Sequence, residues 1–231
     1  MLRTLTNAAL LAAAPLVLLA TGAHAQDAGK WSFSAGAATD NRSKDLSKTD
    51  GDPFVYGAAE WESASGLVYG SAGLETIDAG GSKLENELVV GVRPEFAGFD
   101  FDLNVAHKYR FDANPGYDDD AWEFTADMKR SIGPASARIR LQHSPDGTGS
   151  TEAWTWVALR GGWDFTNKLN VSAEIGRRDQ DNSVDYTGWN VGGSYALTPK
   201  TELELRWHDT DADVPGEQYK GALVAGINFS F

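Results

Sequence analysis

Between Phe99 and Arg110 the chain alternates with a period of two. Phe99, Phe101, Leu103, Val105 and Tyr109 share one parity, interrupted by His107, while Asp100, Asp102, Asn104, Lys108 and Arg110 share the other. Side chains of a β-strand point to opposite faces in turn, so this stretch has one oily wall and one charged wall. A helix would spread both sets around its circumference. The alternation allows two folds: in a soluble sandwich the oily wall is the core, and in a membrane barrel it meets lipid while the charged wall lines the lumen.

The same scheme recurs in about twelve segments, at 30–40, 53–62, 67–76, 84–92, 99–110, 121–130, 135–143, 153–163, 169–178, 186–197, 201–208 and 218–231. Trp122, Phe124, Ala126 and Met128 oppose Glu123, Thr125, Asp127 and Lys129; Ala137, Ile139 and Leu141 oppose Arg138, Arg140 and Gln142. Segments 67–76 and 153–163 carry large apolar residues on both parities and are ambiguous. Most segments have the length of a tilted strand that crosses a bilayer rather than of an ordinary soluble strand. Short connections rich in Gly, Pro, Asn and Ser (62–66, 93–98, 131–134, 165–168, 198–200) alternate with longer ones (41–52, 77–83, 111–120, 144–152, 178–185, 209–217). Strict alternation of short and long loops marks an up-and-down barrel, not a Greek-key sandwich. The expected fold is all-β, a transmembrane antiparallel barrel of about 12 strands.

Aromatic residues gather near the segment ends. Trp31, Trp61, Tyr69, Phe99, Trp163, Tyr195 and Phe231 lie toward the short turns, and Phe54, Tyr109, Trp122, Tyr186 and Trp207 toward the long loops. Two such rings around an apolar band are expected at the two membrane interfaces.

At the N-terminus, Arg3, an apolar run from Ala8 to Ala20 and the pattern Ala23-His24-Ala25 read as a secretory signal peptide over 1–25, leaving one barrel domain over 26–231. Without Arg3 the mature chain has 19 basic against 33 acidic residues, a balance that argues against nucleic acid as a partner. There is no cysteine, so no disulfide holds the fold. No apolar run after Ala20 is long enough for a spanning helix.

Two stretches resemble the TorF family of proteobacterial porins. Residues 38–73 follow that family's opening through Gly57, Trp61 and Gly66 to Gly70, although Leu67-Val68-Tyr69 puts one residue more before the tyrosine than that family's Gly-x-Tyr-x-Gly, and Ser144-Pro145-Asp146 resembles its mid-chain loop. Lys44-Asp45 stands where that family usually has Arg-Gly. The resemblance implies an outer-membrane barrel and brings no catalytic or ligand-binding residues. The last residues, Gly226 to Phe231, resemble the terminal strand that the barrel-assembly machinery reads in outer-membrane proteins.

On this reading the lumen is lined by Glu60, Glu85, Glu87, Asp100, Asp102, Lys108, Glu123, Asp127, Lys129, Arg138, Arg140, Arg160, Glu174, Glu202, Glu204 and Arg206. Acidic members cluster on the fourth and fifth strands and basic ones on the seventh and eighth, so a water-filled bore would carry a transverse field that sorts small polar solutes or ions. The alternative is a closed structural or surface-interaction barrel plugged by ion pairs. No cofactor is expected. Asp209-x-Asp211-x-Asp213 fails as an EF-type calcium loop, since Val214 and Lys220 stand where Gly and Glu are needed. A lipid hydrolase is disfavoured because His143 and Ser144, being adjacent, point to opposite faces. His107 belongs to the lipid wall, its polar tip in the headgroup zone, and His208 to a loop edge.

Overall fold

The structure, a computed structural model, describes residues 29–231; the leader expected at 1–25 lies outside them. Twelve strands form the barrel. They are β1 (Lys30–Ala38), β2 (Phe54–Glu62), β3 (Val68–Ala79), β4 (Ser82–Val92), β5 (Phe99–Arg110) and β6 (Asp120–Ile132), then β7 (Ala135–Ser144), β8 (Trp154–Asp164), β9 (Leu169–Gln180), β10 (Tyr186–Thr198), β11 (Thr201–Thr210) and β12 (Ala222–Ser230). Each pairs antiparallel with its sequence neighbours, and β12 closes on β1 through Ser34–Ser230 and Gly36–Asn228. Closure leaves no sheet edge, so every strand finds hydrogen-bond partners without help from solvent. A walk through register partners returns to β1 displaced by about sixteen residues, which corresponds to a strand tilt of roughly 42° and a backbone radius of about 13 Å.

The charged parity faces inward. Leu103, Val105, Leu88, Val90, Ile139 and Leu159 are exposed on the outer wall, whereas Glu85, Glu123 and Asp127 are buried within the ring. A chain that turns its apolar side chains out and its carboxylates in is built for lipid rather than water. Among the described residues no helix is long and apolar enough to cross a membrane; the crossing is made by strands.

Local details depart from the sequence reading. The expected long connection at 77–83 is a tight turn: β3 and β4 continue to Ala79 and Ser82, and Gly80 and Gly81 between them take φ of 59° and 87°. Two residues at positive φ give the turn that matches strand twist, and glycine adopts it without a Cβ clash. The segment expected to start at 218 begins only at Ala222, because Glu217–Tyr219 forms a turn of 3-10 helix. The girdles are also thinner than expected. Trp31, Trp122, Trp163, Tyr195 and Trp207 do face outward. Tyr69, Phe54 and Tyr186 instead share the inward parity: Tyr69 is buried with its hydroxyl on Asp102, Phe54 stacks on Tyr56, and Tyr186 is wholly buried. Each ring found room inside that alternation could not foresee. Gly91, the register partner of Tyr69, lacks the Cβ that would stand 2.5 Å from the tyrosine ring.

Candidate pore and its constriction

Inside the ring, acidic side chains of β2 to β6 face basic ones of β7, β8 and β11, with Lys108 and Arg110 set among the acids. Most of these charges are paired. Arg93, just past β4, takes Glu60 at 2.8 and 3.0 Å and stacks its guanidinium 3.7 Å over Tyr69. Asp102 accepts from Tyr69 at 2.7 Å and from Asn104 at 2.9 Å. Glu85 holds Arg110 at 2.9 Å, and Lys108 lies 2.9 Å from Glu123 and 3.4 Å from Glu87. Asp127 receives Arg140 at 2.5 and 2.7 Å, Glu174 receives Arg138 at 2.6 Å, and Glu204 receives Arg206 at 2.8 Å. Asp100 and Lys129 are register partners and both line a cavity of about 770 Å³ at the short-turn end. Glu202 shares the parity of Glu204 and is exposed nearer the short-turn rim.

Arg160 differs from its neighbours. It donates to Ser172 Oγ at 2.7 Å, the oxygen that also receives Arg206 Nη2 at 2.9 Å, and has no carboxylate within ion-pair distance among the described residues. Register sets Arg138 directly beside it. Two guanidiniums on one hydroxyl, with a third alongside, leave an excess of positive charge on this arc of the wall.

The connection between β1 and β2 does not stay at the rim. It folds into the bore as a small hairpin, Arg42 paired with Ser47 and Ser43 with Leu46, and its tip is Lys44-Asp45 at φ of 52° and 66°. Asp40 fastens the base by accepting from Ser47 Oγ at 2.6 Å and Thr49 Oγ1 at 3.0 Å. From there the tip crosses to the far wall. Lys44 Nζ lies 3.4 Å from Glu123 and 4.1 Å from the ring centre of Trp154, and its carbonyl accepts from Tyr186 at 2.8 Å. Asp45 Oδ1 accepts from Asn190 and His208, each at 2.8 Å. Lys48 pairs with Glu75 and, at 2.6 Å, with Glu85. Leu46 packs against an apolar cluster of Trp154, Trp156, Ala158 and Tyr186 that faces the lumen. Burial pulls the Lys44 amine down to about 7 against the pull of Glu123, with Lys108, Arg178 and Lys48 adding to the fall.

The hairpin divides the bore. On its long-loop side lies a cavity of about 480 Å³, and on the other side one of about 510 Å³; Ser43, Lys44, Lys108 and Glu123 line both. The sixteen charged residues read from the sequence all fall on the inner parity. Sequence reasoning missed the hairpin tip, the inward aromatics Trp154, Trp156 and Tyr186, and the inward Arg93, Arg178 and His208. Inward glycines were the available signal. A Cβ on Gly176 would strike Trp156 and one on Gly188 would strike Asp45, so both positions mark side chains seated across the wall. His208 is not at a loop edge, as expected, but inside and bonded to Asp45. His107 stays on the outer face, against Trp122 and 2.9 Å from Asp120. The acidic outer loops make no cluster of three metal-ligating side chains among the described residues.

A sequence profile described as Gram-negative porin matches residues 27–226. The chain belongs to that family. The porin is also similar in fold to solved structures of low sequence identity. A KdgM porin is 10% identical with a TM-score of 0.62, covering 87% of this chain and 99% of its own. A NanC porin is 8% identical with a TM-score of 0.57, covering 87% and 99%. An outer membrane channel from Pseudomonas putida F1 is 10% identical with a TM-score of 0.54, covering 88% and 95%. No curated protein matches the chain in sequence. Family and fold together place the porin in the outer membrane as a channel and not an enzyme. His143 and Ser144 do stand on opposite faces of β7, the histidine exposed and the serine buried.

Proposed function

We propose that this porin carries small polar solutes or ions by passive diffusion, and that the unequal charge of its two inner walls sets which of them pass. The observation that carries the reading is Arg160, a cation on the inner face with a hydroxyl for its partner where its neighbours have carboxylates. A charge without a counter-ion in a bore walled by low-dielectric protein acts on whatever diffuses past, whereas a paired one is largely cancelled. The sixteen inward charges named from the sequence are, on this reading, the lining that solutes meet. Reconstitution into a planar bilayer tests it: stepwise, salt-dependent openings with a reversal potential that shifts in asymmetric KCl are expected. A well-folded, heat-modifiable barrel that stays silent would favour a closed structural barrel, the reading that the hairpin across the lumen supports.

Within the porins, the residues at 38–73 and Ser144-Pro145-Asp146 support placing the chain near the TorF family. The leader over 1–25, with a mature barrel over 26–231, supports export, and the alternating strand that ends at Phe231 supports recognition by the barrel-assembly machinery. The mass of the mature protein and the assembly rate of a Phe231→Ala variant test these two points.

A further inference from the structure

We propose that residues 42–47 are a reversible gate: the hairpin undocks from the far wall and joins the two cavities it now separates. The inference rests on the channel reading above.

Its basis is a docked state that combines good contacts with built-in costs. No backbone–backbone hydrogen bond joins residues 42–47 to the barrel wall among the described residues. The backbone anchors lie at the base, where Lys48 N donates to Asn41 O and Lys48 O accepts from Asp78 N, both at 2.7 Å. Beyond that base the hairpin is held by side chains: Leu46 in the aromatic cluster, Asp45 on Asn190 and His208, Lys44 beside Glu123 and over Trp154, the Tyr186 hydroxyl donating to the Lys44 carbonyl, and Arg42 Nη1 donating to the Lys220 carbonyl at 2.9 Å. Against these stand two costs. Asp45 Oδ2 is buried with no hydrogen-bond partner, and a carboxylate oxygen left so is strongly under-solvated. The Lys44 side chain is almost wholly removed from water, although Glu123, its nearest acid, already has Lys108 at 2.9 Å. Undocking would relax both, since water solvates both ionic groups. Opposed terms of this kind make a segment with two states of comparable free energy.

Undocked, the hairpin would swing about the base near Lys48 toward the long-loop rim. The cavities of about 510 and 480 Å³ would then form one bore. Gly188 is the seat of the tip: a Cβ placed there would stand 2.9 Å from Asp45 Cβ. A disulfide spans about 3.8 Å between Cβ atoms, so cysteines at these positions can bridge after a small outward shift, and the chain has no native cysteine to interfere.

The test is single-channel recording of folded Asp45→Cys/Gly188→Cys, oxidised after assembly and then reduced. Oxidation is expected to lock the low-conductance level and cut transitions at least tenfold, and reductant is expected to restore them. A folded barrel in which the bridge does not form, or one that switches equally often oxidised and reduced, would overturn the gate. Should the double variant fail to assemble, Leu46→Ser decides: loss of the apolar seat is expected to raise the time spent open, and an unchanged dwell-time distribution overturns the proposal. Failure of the channel reading looks different. Wild type and Leu46→Ser would then both be silent, whereas steady conductance in all variants would sink the gate alone.

Discussion

Asp45 and His208 are 163 positions apart in the chain, yet His208 Nδ1 donates to Asp45 Oδ1 across the lumen at 2.8 Å. The carboxylate can only accept, so the proton on Nδ1 belongs to the histidine. With Asn190 on the same oxygen, this contact satisfies half of a buried carboxylate. His208→Ala removes a hydrogen bond to a charged group, worth about 1.5–3 kcal/mol. The ratio of open to closed dwell time is expected to rise by tenfold or more, and labelling of a Ser43→Cys reporter by a thiol reagent should accelerate in parallel.

The Lys44 amine gives the hairpin a pH dependence. Docked, its pKa is about 7, brought there by burial and by Lys108, Arg178 and Lys48 in spite of Glu123. In the undocked, solvated hairpin the amine returns toward 10.5. Between these values the undocked state holds the extra proton, so docking strengthens as pH rises from about 7 toward 10, by at most roughly tenfold per unit, and is flat below that window. Open time should therefore fall with rising pH in that range. Lys44→Gln should abolish the dependence, and a variant that keeps it would assign the titration to another group.

Arg160→Glu reverses the sign of the charge that lacks a carboxylate partner. In a watery bore a unit charge acts on an ion about 6 Å away by roughly 0.7 kcal/mol, about threefold in relative permeability. The reversal potential in asymmetric KCl is expected to move toward cation selectivity by at least that factor. The double variant Arg140→Gln/Asp127→Asn, which removes a pair whose charges cancel, should move it far less.

Gly91→Val places a side chain where the Tyr69 ring now lies 2.5 Å from the Cβ position. Overpacking of this kind costs about 1–3 kcal/mol. Displacing the ring would also disturb Tyr69–Asp102 and the Arg93 stack. Urea unfolding in lipid vesicles should show the loss, and Gly161→Val, where a Cβ meets open space, should show little.

Val90 and Val89 are neighbours on β4 with opposite environments. Val90 is 67% exposed on the lipid wall, whereas Val89 shares the parity of Glu85 and Glu87. An arginine on the lipid face costs about 2–4 kcal/mol near the bilayer midplane. Val90→Arg is expected to lose that stability in vesicles, and Val89→Arg to lose clearly less while altering conductance.

The barrel was readable because its signal repeats: about twelve segments, most of them alternating and most too long for a soluble strand, leave few other folds. Parity alone also put Arg138, Arg140 and Glu174 on the inner face, since a strand offers only two. What escaped was anything set by contact across the bore. Trp154 and Trp156 share an inward parity with Arg160, but their neighbours Thr155, Val157 and Leu159 are nearly as apolar, so segment 153–163 gave no preference. Tyr186 and Phe54 sit at strand ends, where an aromatic suits an interface or a lumen equally well. The entry of residues 42–47 into the lumen had no local signature, because a polar Arg-Ser-Lys-Asp stretch reads the same in water or against a charged wall.

The hairpin comes early in the chain, but its seat is made late. The tip at Lys44 and Asp45 rests on β6, β8, β10 and β11, through Glu123, Trp154, Tyr186, Asn190 and His208. A barrel of β1 to β7 alone would offer the tip Glu123 but not Trp154, Tyr186, Asn190 or His208. Constriction is therefore a late event of assembly: the ring must be nearly complete before its plug has a socket. A porin stopped before β10 would keep Glu123 and Trp154 beside Lys44 but leave Asp45 without Asn190 or His208.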